Sequence, residues 1–111
     1  MVMKTHRSKK LPEVIVTVPE VFYDFRGKYV ETYNKKEYST LIDFNGEPLD
    51  FVQDDISISR KHVLRGLHGD HKTWKLIQCL SGAIFVAVVD MRPSSPNYLK
   101  FDTFSDRKSV V

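Results

Sequence analysis

The stretch Lys75–Asp90 reads KLIQCLSGAIFVAVVD and predicts a β-hairpin. Its two strands are expected over 75–80 and 83–90, joined by the turn Ser81-Gly82. The segment Ala83–Val89 is apolar at every position, so both faces of that strand are expected to be buried.

The rest of the chain continues this pattern of short strands separated by turns. Asn34–Leu41 is the exception: it predicts a short helical segment with Asn34 as its N-cap and Glu37 three residues on. Asn45–Pro48 has the composition of a turn. Further strands are predicted over 13–18, 21–25, 29–33, 51–59 and 98–104. Many short strands with turns at intervals of about ten residues predict an all-β sandwich or barrel.

The predicted strand 51–59 has one apolar and one polar face. Val52, Ile56 and Ile58 share the apolar face, apart from Asp54. The opposite face carries Phe51, Gln53, Asp55, Ser57 and Ser59. Such a polar face is typical of a strand that lines a wet cavity, and a plain solvent-facing surface is the alternative.

Length and composition predict a globular protein. A chain of 111 residues has room for one domain. Hydrophobic residues make up 41% of the chain and aromatic residues 12%, which argues against general disorder. No apolar run approaches the roughly 20 residues of a membrane helix. A single cysteine, Cys79, suits a reducing cytosol. We therefore expect a soluble cytoplasmic protein that does not bind membranes.

The basic character of the chain is concentrated at its N-terminus. Residues 1–10 carry Lys4, Arg7, Lys9 and Lys10 without any acid, and these alone exceed the net charge of +3. The remainder is slightly acidic, so no basic face is expected and nucleic acid is not a predicted partner. Residues 1–12, which end at Pro12, are predicted to be a disordered N-terminal tail.

Three side chains suited to enolate chemistry stand close together in the sequence: Arg65, His68 and Lys75. A neutral histidine can remove a proton from a carbon beside a carbonyl, and a cation can stabilise the resulting enolate. On a flat strand Arg65 and His68 would point to opposite faces. For both to reach one cavity, Gly66 must introduce a bulge or the strand must end before His68. Taken alone, the three residues are weak evidence for such chemistry, and a surface Arg, a surface Lys and a His at the edge of the core are the simpler interpretation.

A metal site is not predicted. His68 and His71 are three residues apart, which places them on opposite faces of a strand. Asp70 is the one nearby carboxylate, and Cys79 stands alone. These residues do not form the ligand set of a common metal site.

The block Val63–His68 is one of several motifs that occur in a fixed order. The others are Phe25-Arg26-Gly27, Glu31-Thr32-Tyr33, Phe51–Asp54, Lys75–Cys79 with Gly82, and Val89–Arg92 with Ser95-Pro96. In this combination, from about Val14 to Phe104, the sequence resembles the dTDP-4-dehydrorhamnose 3,5-epimerases and their relatives that act on other nucleotide-linked 4-keto sugars.

The resemblance implies a cupin jelly roll (a double-stranded β-helix) that works without a metal or other cofactor. His68 matches the family's catalytic base, and Lys75 matches the lysine that holds the 4-keto oxygen of the sugar. Arg65 and Gln53 match substrate-binding residues. Asp55 stands where the commoner pattern has asparagine, and it is placed with the substrate-binding residues as well.

The resemblance also implies how the nucleotide and a second subunit are bound. Arg26 and Glu31 match nucleotide-binding residues on N-terminal strands, which family members exchange across a homodimer. The implied partner is a nucleotide-linked 4-keto sugar. The loop 69–74 is shorter than in typical dTDP-rhamnose enzymes. The sequence therefore does not determine which nucleotide and sugar are bound, or whether epimerisation occurs at C3, C5 or both.

Domain boundaries follow from the extent of the resemblance. Residues 13–104 are expected to be the N-terminal part of a single cupin domain that is incomplete on its C-terminal side. Residues 105–111 match nothing in the family and are expected to be an artefactual or disordered tail. Family members extend further and supply the tyrosine general acid from their second half, so this chain alone is expected to be inactive. A non-catalytic cupin that binds sugar nucleotides is the alternative, and a metal cupin is disfavoured by the ligand count.

Overall fold

The protein is described by a computed structural model that covers residues 3–43 and 45–107. Its elements in chain order are β1 Met3–Arg7, β2 Ile15–Pro19, β3 Val21–Asp24, β4 Gly27–Val30, α1 Lys35–Tyr38, β5 Ala83–Val89 and β6 Phe101–Arg107. No helix among these residues is long and apolar enough to cross a membrane.

Neighbouring strands pair antiparallel in three two-stranded sheets. In the sheet of β1 and β2, Met3 lies opposite Pro19 and Arg7 opposite Ile15. The hairpin of β3 and β4 aligns Val21 with Val30 and turns at Asp24 and Gly27. The longest sheet joins β5 and β6, with Ala83 opposite Arg107 and Val89 opposite Phe101.

The pairing of β5 corrects the predicted hairpin of 75–80 with 83–90. Residues 75–80 are not a strand, and β5 pairs instead with β6 across the loop 90–100. This loop closes because the Asp90 N–H donates to the Lys100 carbonyl and the Leu99 N–H donates to the Asp90 carbonyl. The Cys79 N–H donates to the Asp106 carboxylate (2.8 Å) and not to the backbone carbonyl of a neighbouring strand.

Burial of β5 on both faces was also expected, and this expectation is wrong for the described residues. Val86, Val88 and Val89 are half-buried, whereas Phe85 is 71% exposed and Ile84 38%. An apolar sequence predicts a tendency to be buried, but a covering layer must lie against the strand to bury it. Two strands alone supply no such layer.

The predicted strand 51–59 is absent as well. A strand requires a partner for its backbone groups. Within residues 50–76, all of which the structure describes, one backbone–backbone hydrogen bond is formed, from the Val63 N–H to the Arg60 carbonyl (3.4 Å). Without a ladder, the period-two alternation of this segment does not define two faces. The predicted polar cavity wall is therefore not formed by these residues.

The short helix follows its prediction. The Asn34 side chain accepts a hydrogen bond from the Glu37 N–H (3.2 Å), as an N-cap does. Just after it, Ile42 and Pro48 form an isolated bridge, and the Asp43 carboxylate accepts the N–H groups of Asn45 (2.8 Å) and Glu47 (3.0 Å). The first residues of β2, β3 and β4 lie within two positions of the predicted first residues of the strands 13–18, 21–25 and 29–33.

Described residues in both predicted tails belong to strands. Residues 3–7 form β1, because β2 offers them a complete antiparallel partner. At the other end β6 continues to Arg107, so residues 105–107 belong to a strand. Residues 108–111 lie outside the described part of the chain. That 13–104 form one cupin domain stays a prediction.

The chain divides into two units. One comprises the described residues of Met1–Thr32 and Ile77–Val111, where Leu11 and Cys79 are buried. The other is Tyr33–Leu76, where Tyr38 and Leu49 are buried. In this second unit, the Tyr38 ring packs against Tyr33 (centroids 5.2 Å apart) and Phe51 (6.2 Å, edge to face).

Two side-chain clusters fix the loops of the first unit. Asp90 has a buried carboxylate that accepts hydrogen bonds from Arg92 (2.7 and 2.9 Å) and from the Ser95 hydroxyl (2.6 Å). The guanidinium of Arg92 and the Ser95 hydroxyl hold the pKa of Asp90 far below its usual range. Arg92 also pairs with Glu13 (3.1 Å), which ties the start of β2 to this loop.

Ser8 forms the other cluster, and its loss is the first prediction. Its hydroxyl donates to Asp102 (2.6 Å) and accepts from the Leu11 N–H (2.9 Å). Ser8→Ala removes both bonds and leaves the buried Leu11 N–H without an acceptor. We therefore expect the free energy of unfolding to fall by about 1–3 kcal/mol. Urea denaturation measures this loss, with the exposed turn residue Ser94→Ala as the control. Equal urea midpoints for Ser8→Ala and Ser94→Ala would show that the Ser8 hydroxyl does not contribute to stability.

Candidate functional site

Arg65 is held by the segment that precedes it. Its Nε donates to the Ser59 hydroxyl (2.8 Å), and its Nη2 donates to the Ile58 carbonyl (3.3 Å). These bonds leave part of the guanidinium free to meet a ligand, because the group carries five N–H donors. Ser59 therefore orients Arg65, a role that its place on a predicted polar face did not reveal.

His68 lies against Gly66. A Cβ on Gly66 would approach His68 Cδ2 and the His68 backbone nitrogen at 3.3 Å each. Gly66 also has φ +97°, a conformation that side chains rarely adopt. Residues 63–68 form no strand, so the structure has neither a bulge at Gly66 nor a strand end before His68. This irregular backbone removes the alternation that would have separated Arg65 from His68.

Asp70 organises the loop that leads from His68 to Lys75. Its Oδ1 accepts the N–H groups of Lys72 (2.8 Å) and Thr73 (2.8 Å), and its Oδ2 accepts the Thr73 hydroxyl (2.7 Å). The Thr73 hydroxyl, the two N–H groups and the charge of Lys75 lower the pKa of Asp70 to about 2. The carboxylate is therefore ionised at neutral pH.

Gln53 and Asp55 are brought together, with the Gln53 Nε2 donating to the Asp55 Oδ2 (2.9 Å). Both side chains are exposed. The bond uses one of the two N–H donors of the Gln53 amide. Asp55 is thus a partner of Gln53 in the structure, and direct binding of a substrate by Asp55 stays a prediction.

Arg26 and Glu31 belong to the first unit. Arg26 lies at the tip of the β3–β4 hairpin, paired with Asp24 (2.5 and 3.0 Å) and above the ring of Phe25. Arg26 in turn lowers the pKa of Asp24. Glu31 follows β4, and its Oε1 is buried without a hydrogen-bond partner among the described residues. A buried carboxylate oxygen of this kind is suited to accept a donor from a ligand.

The second unit holds the other predicted site residues, all of them exposed: Gln53, Asp55, Arg65, His68 and Lys75. Within this part of the structure no hydrogen bond or ion pair joins Arg65, His68 and Lys75 to one another. Arg65 is instead bonded to Ser59 and Ile58. Their chemistry is that of a base flanked by two cations, which suits formation of an enolate or the binding of an anion.

Three supporting residues were missed by the sequence analysis as parts of the site: Asp24, Ser59 and Asp70. Asp70 was weighed only as a metal ligand. The spacing Asp-x-x-Thr is itself the signal of a local side-chain turn, in which a carboxylate bonds the backbone two and three residues on. Among residues 3–43 and 45–107, no group of three His, Cys, Asp or Glu side chains could hold a metal ion.

Solved structures resemble this chain over nearly its whole length. A dTDP-4-dehydrorhamnose 3,5-epimerase from Bacillus anthracis, with TDP and PPi bound, matches 97% of this chain and 61% of its own, with a TM-score of 0.81 and 31% identity. The epimerase from Elizabethkingia anophelis matches with a TM-score of 0.78 and 34% identity, over 96% of this chain and 58% of its own. The predicted class, an incomplete all-β cupin jelly roll, is therefore confirmed.

Sequence comparison identifies the family within that class. The family model of dTDP-4-dehydrorhamnose 3,5-epimerase matches residues 8–107. The Salmonella typhimurium enzyme of that name is 42% identical over 91 residues, and that of Escherichia coli is 39% identical over 95, which is 79% and 83% of this chain. The chain belongs to the dTDP-4-dehydrorhamnose 3,5-epimerase family. It spans about half the length of these two relatives, 48% and 50%.

Gly66 yields a prediction about the placement of His68. Gly66→Ala puts a methyl group against the His68 ring and backbone in a left-handed conformation, so we expect a loss of about 1–3 kcal/mol in stability. The ring should also move, which NMR detects as a changed His68 Cδ2–H chemical shift.

Gly69→Ala is the matched control, because a Cβ there meets nothing within 4 Å. It should change stability by less than about 0.5 kcal/mol. An unshifted His68 signal in Gly66→Ala would contradict the role assigned to Gly66.

Proposed function

We propose that this chain carries the base and the enolate-stabilising lysine of a nucleotide-sugar epimerase. The substrate is a dTDP-linked or other nucleotide-linked 4-keto-6-deoxyhexose, or a related 4-keto sugar, used in deoxysugar and polysaccharide biosynthesis. The observation that carries the proposal is the family match over residues 8–107, which includes His68 and Lys75. The reaction is an isomerisation that needs no cofactor.

The first chemical step is the removal of a proton. The neutral imidazole of His68 takes it from the carbon beside the 4-keto group, and the electron pair moves onto the keto oxygen. Lys75 donates a hydrogen bond and a positive charge to that oxygen as it becomes negative. Arg65, oriented by Ser59, stabilises the same developing charge or grips the phosphate of the nucleotide.

Inversion then requires a proton from the opposite face of the enolate. An acid on that face is needed because His68 returns its own proton to the face it came from. In the proposed mechanism this acid is a tyrosine of the second half of the fold. The half-length match to the Salmonella typhimurium and Escherichia coli relatives supports this division of labour.

The nucleotide end of the substrate is assigned to Arg26 and Glu31. Arg26 offers a cation to the diphosphate, and the unpartnered Oε1 of Glu31 offers an acceptor. The TDP and PPi in the Bacillus anthracis structure support a nucleotide site in this fold. We further propose that the hairpin of β3 and β4 serves a homodimer and that the protein works in the cytoplasm.

A chimaera tests the base. Residues 1–104 are joined to the C-terminal half of the Salmonella typhimurium relative, and deuterium uptake from heavy water into dTDP-4-keto-6-deoxyglucose is followed by NMR. We expect uptake and inversion in the chimaera. His68→Asn should abolish both while nucleotide binding persists, because the base acts after binding.

His71→Asn is the matched control for this test. His71 lies three residues from His68 and has no assigned role, so that variant should keep activity. Nucleotide binding without any uptake in the parent chimaera would favour a non-catalytic sugar-nucleotide cupin. Uptake that survives His68→Asn would remove His68 from the mechanism.

Lys75 is tested in the same chimaera. Lys75→Met keeps the length of the side chain but removes its charge and its donors. We expect kcat to fall by about 10²–10³-fold, the usual scale for one oxyanion donor. Lys72→Met, which changes an exposed lysine three residues away, should leave kcat within about twofold. Equal rates in the two variants would show that Lys75 does not stabilise the enolate.

A further inference from the structure

Asp70 uses both of its carboxylate oxygens within a span of four residues. One oxygen accepts two backbone N–H groups, from Lys72 and Thr73, and the other accepts the Thr73 hydroxyl. All three bonds measure 2.7–2.8 Å between heavy atoms, within the range of charge-assisted hydrogen bonds. Asp70 and Thr73 together form a closed turn, which we call the Asp70–Thr73 clasp.

The clasp lies on the connection between the two residues assigned to chemistry. His68 precedes Asp70 by two positions, and Lys75 follows Thr73 by two. The segment 68–75 is exposed throughout and contains no helix or strand. Burial therefore contributes little to its conformation, and the clasp supplies its main local restraint.

We propose that Asp70, through the Asp70–Thr73 clasp, is a positioning residue that sets the placement of His68 relative to Lys75. The catalytic part of this inference rests on the proposed epimerase function. Proton removal and enolate stabilisation act on atoms two bonds apart in the substrate, so a small displacement of either group lowers the rate. Asp70 itself need not touch the substrate.

The charge of Asp70 strengthens the clasp. The Thr73 hydroxyl, the two N–H groups and the nearby charge of Lys75 lower the pKa of Asp70 from 3.8 to about 2. His71 and Lys72 are the other charged or titratable side chains next to it in the sequence. A lowered pKa means that the ionised carboxylate stabilises the turn above pH 4, and that this stabilisation is lost as the pH falls through about 2.

Amide hydrogen exchange of the 111-residue chain tests the clasp without any substrate. We expect protection of the Lys72 and Thr73 amides to fall between pH 4 and pH 2 in the wild type. Asp70→Ala should remove the protection of both amides at every pH. Asp70→Asn keeps an acceptor oxygen but cannot titrate, so its protection should be independent of pH over this range. Protection in the wild type that does not change with pH, or that survives Asp70→Ala, would overturn the clasp.

Kinetics of the chimaera test the positioning role. Asp70→Ala and Thr73→Val should each lower kcat by about tenfold or more with KM within about twofold, since misplacement affects chemistry more than binding. Thr73→Ser keeps the hydroxyl and should restore the rate of the wild type. A full rate in Asp70→Ala would overturn the positioning role while leaving His68 and Lys75 as the catalytic pair.

The exchange measurement also covers the case in which the parent chimaera is inactive. The proposed function then fails, but the clasp is still judged by amide protection and by the NMR signals of His68 in the 111-residue chain. In Asp70→Ala and Thr73→Val those signals should shift or broaden, and in Thr73→Ser they should not. His68 signals that are identical in all four proteins would overturn the inference by themselves.

Discussion

The antiparallel ladder between β5 and β6 is the interaction on which the first unit depends. It pairs seven residues of each strand, and carboxylates at or near its ends bond several other segments of the unit. Asp102 on β6 binds Ser8 between β1 and β2, and Asp106 binds the Cys79 backbone. Asp90, at the end of β5, binds Arg92, which reaches Glu13. A few ionised side chains thus perform the joining that a large apolar core performs in bigger domains.

The second unit depends on local contacts to an even greater degree. Tyr33, Tyr38 and Phe51 pack together, and Lys35 pairs with Asp50 (3.6 Å). Many of the unit's side-chain hydrogen bonds join groups within seven residues of each other. Arg65 is oriented by Ser59, Gln53 by Asp55, and the loop before Lys75 by Asp70. Arg65, Gln53 and the loop before Lys75 therefore each have a supporting side chain nearby in sequence.

Several large apolar side chains are exposed in this structure. Phe85, Val52 and Leu64 are each more than 70% exposed, as is Phe25 at the tip of a hairpin. Apolar exposure of this extent on a small chain marks surfaces that a further layer of protein normally covers.

The sequence by itself determined the features that depend on near neighbours. The Asn34 cap, the all-β class and the motifs around His68 could be predicted from the sequence, because each rests on residue types a few positions apart. The structure decided which strands find partners. Ala83–Val89 pairs with β6 and not with 75–80, residues 3–7 form a strand, and 51–59 form none. Period-two alternation shows that a segment can be a strand, but only a second backbone at hydrogen-bonding distance makes it one.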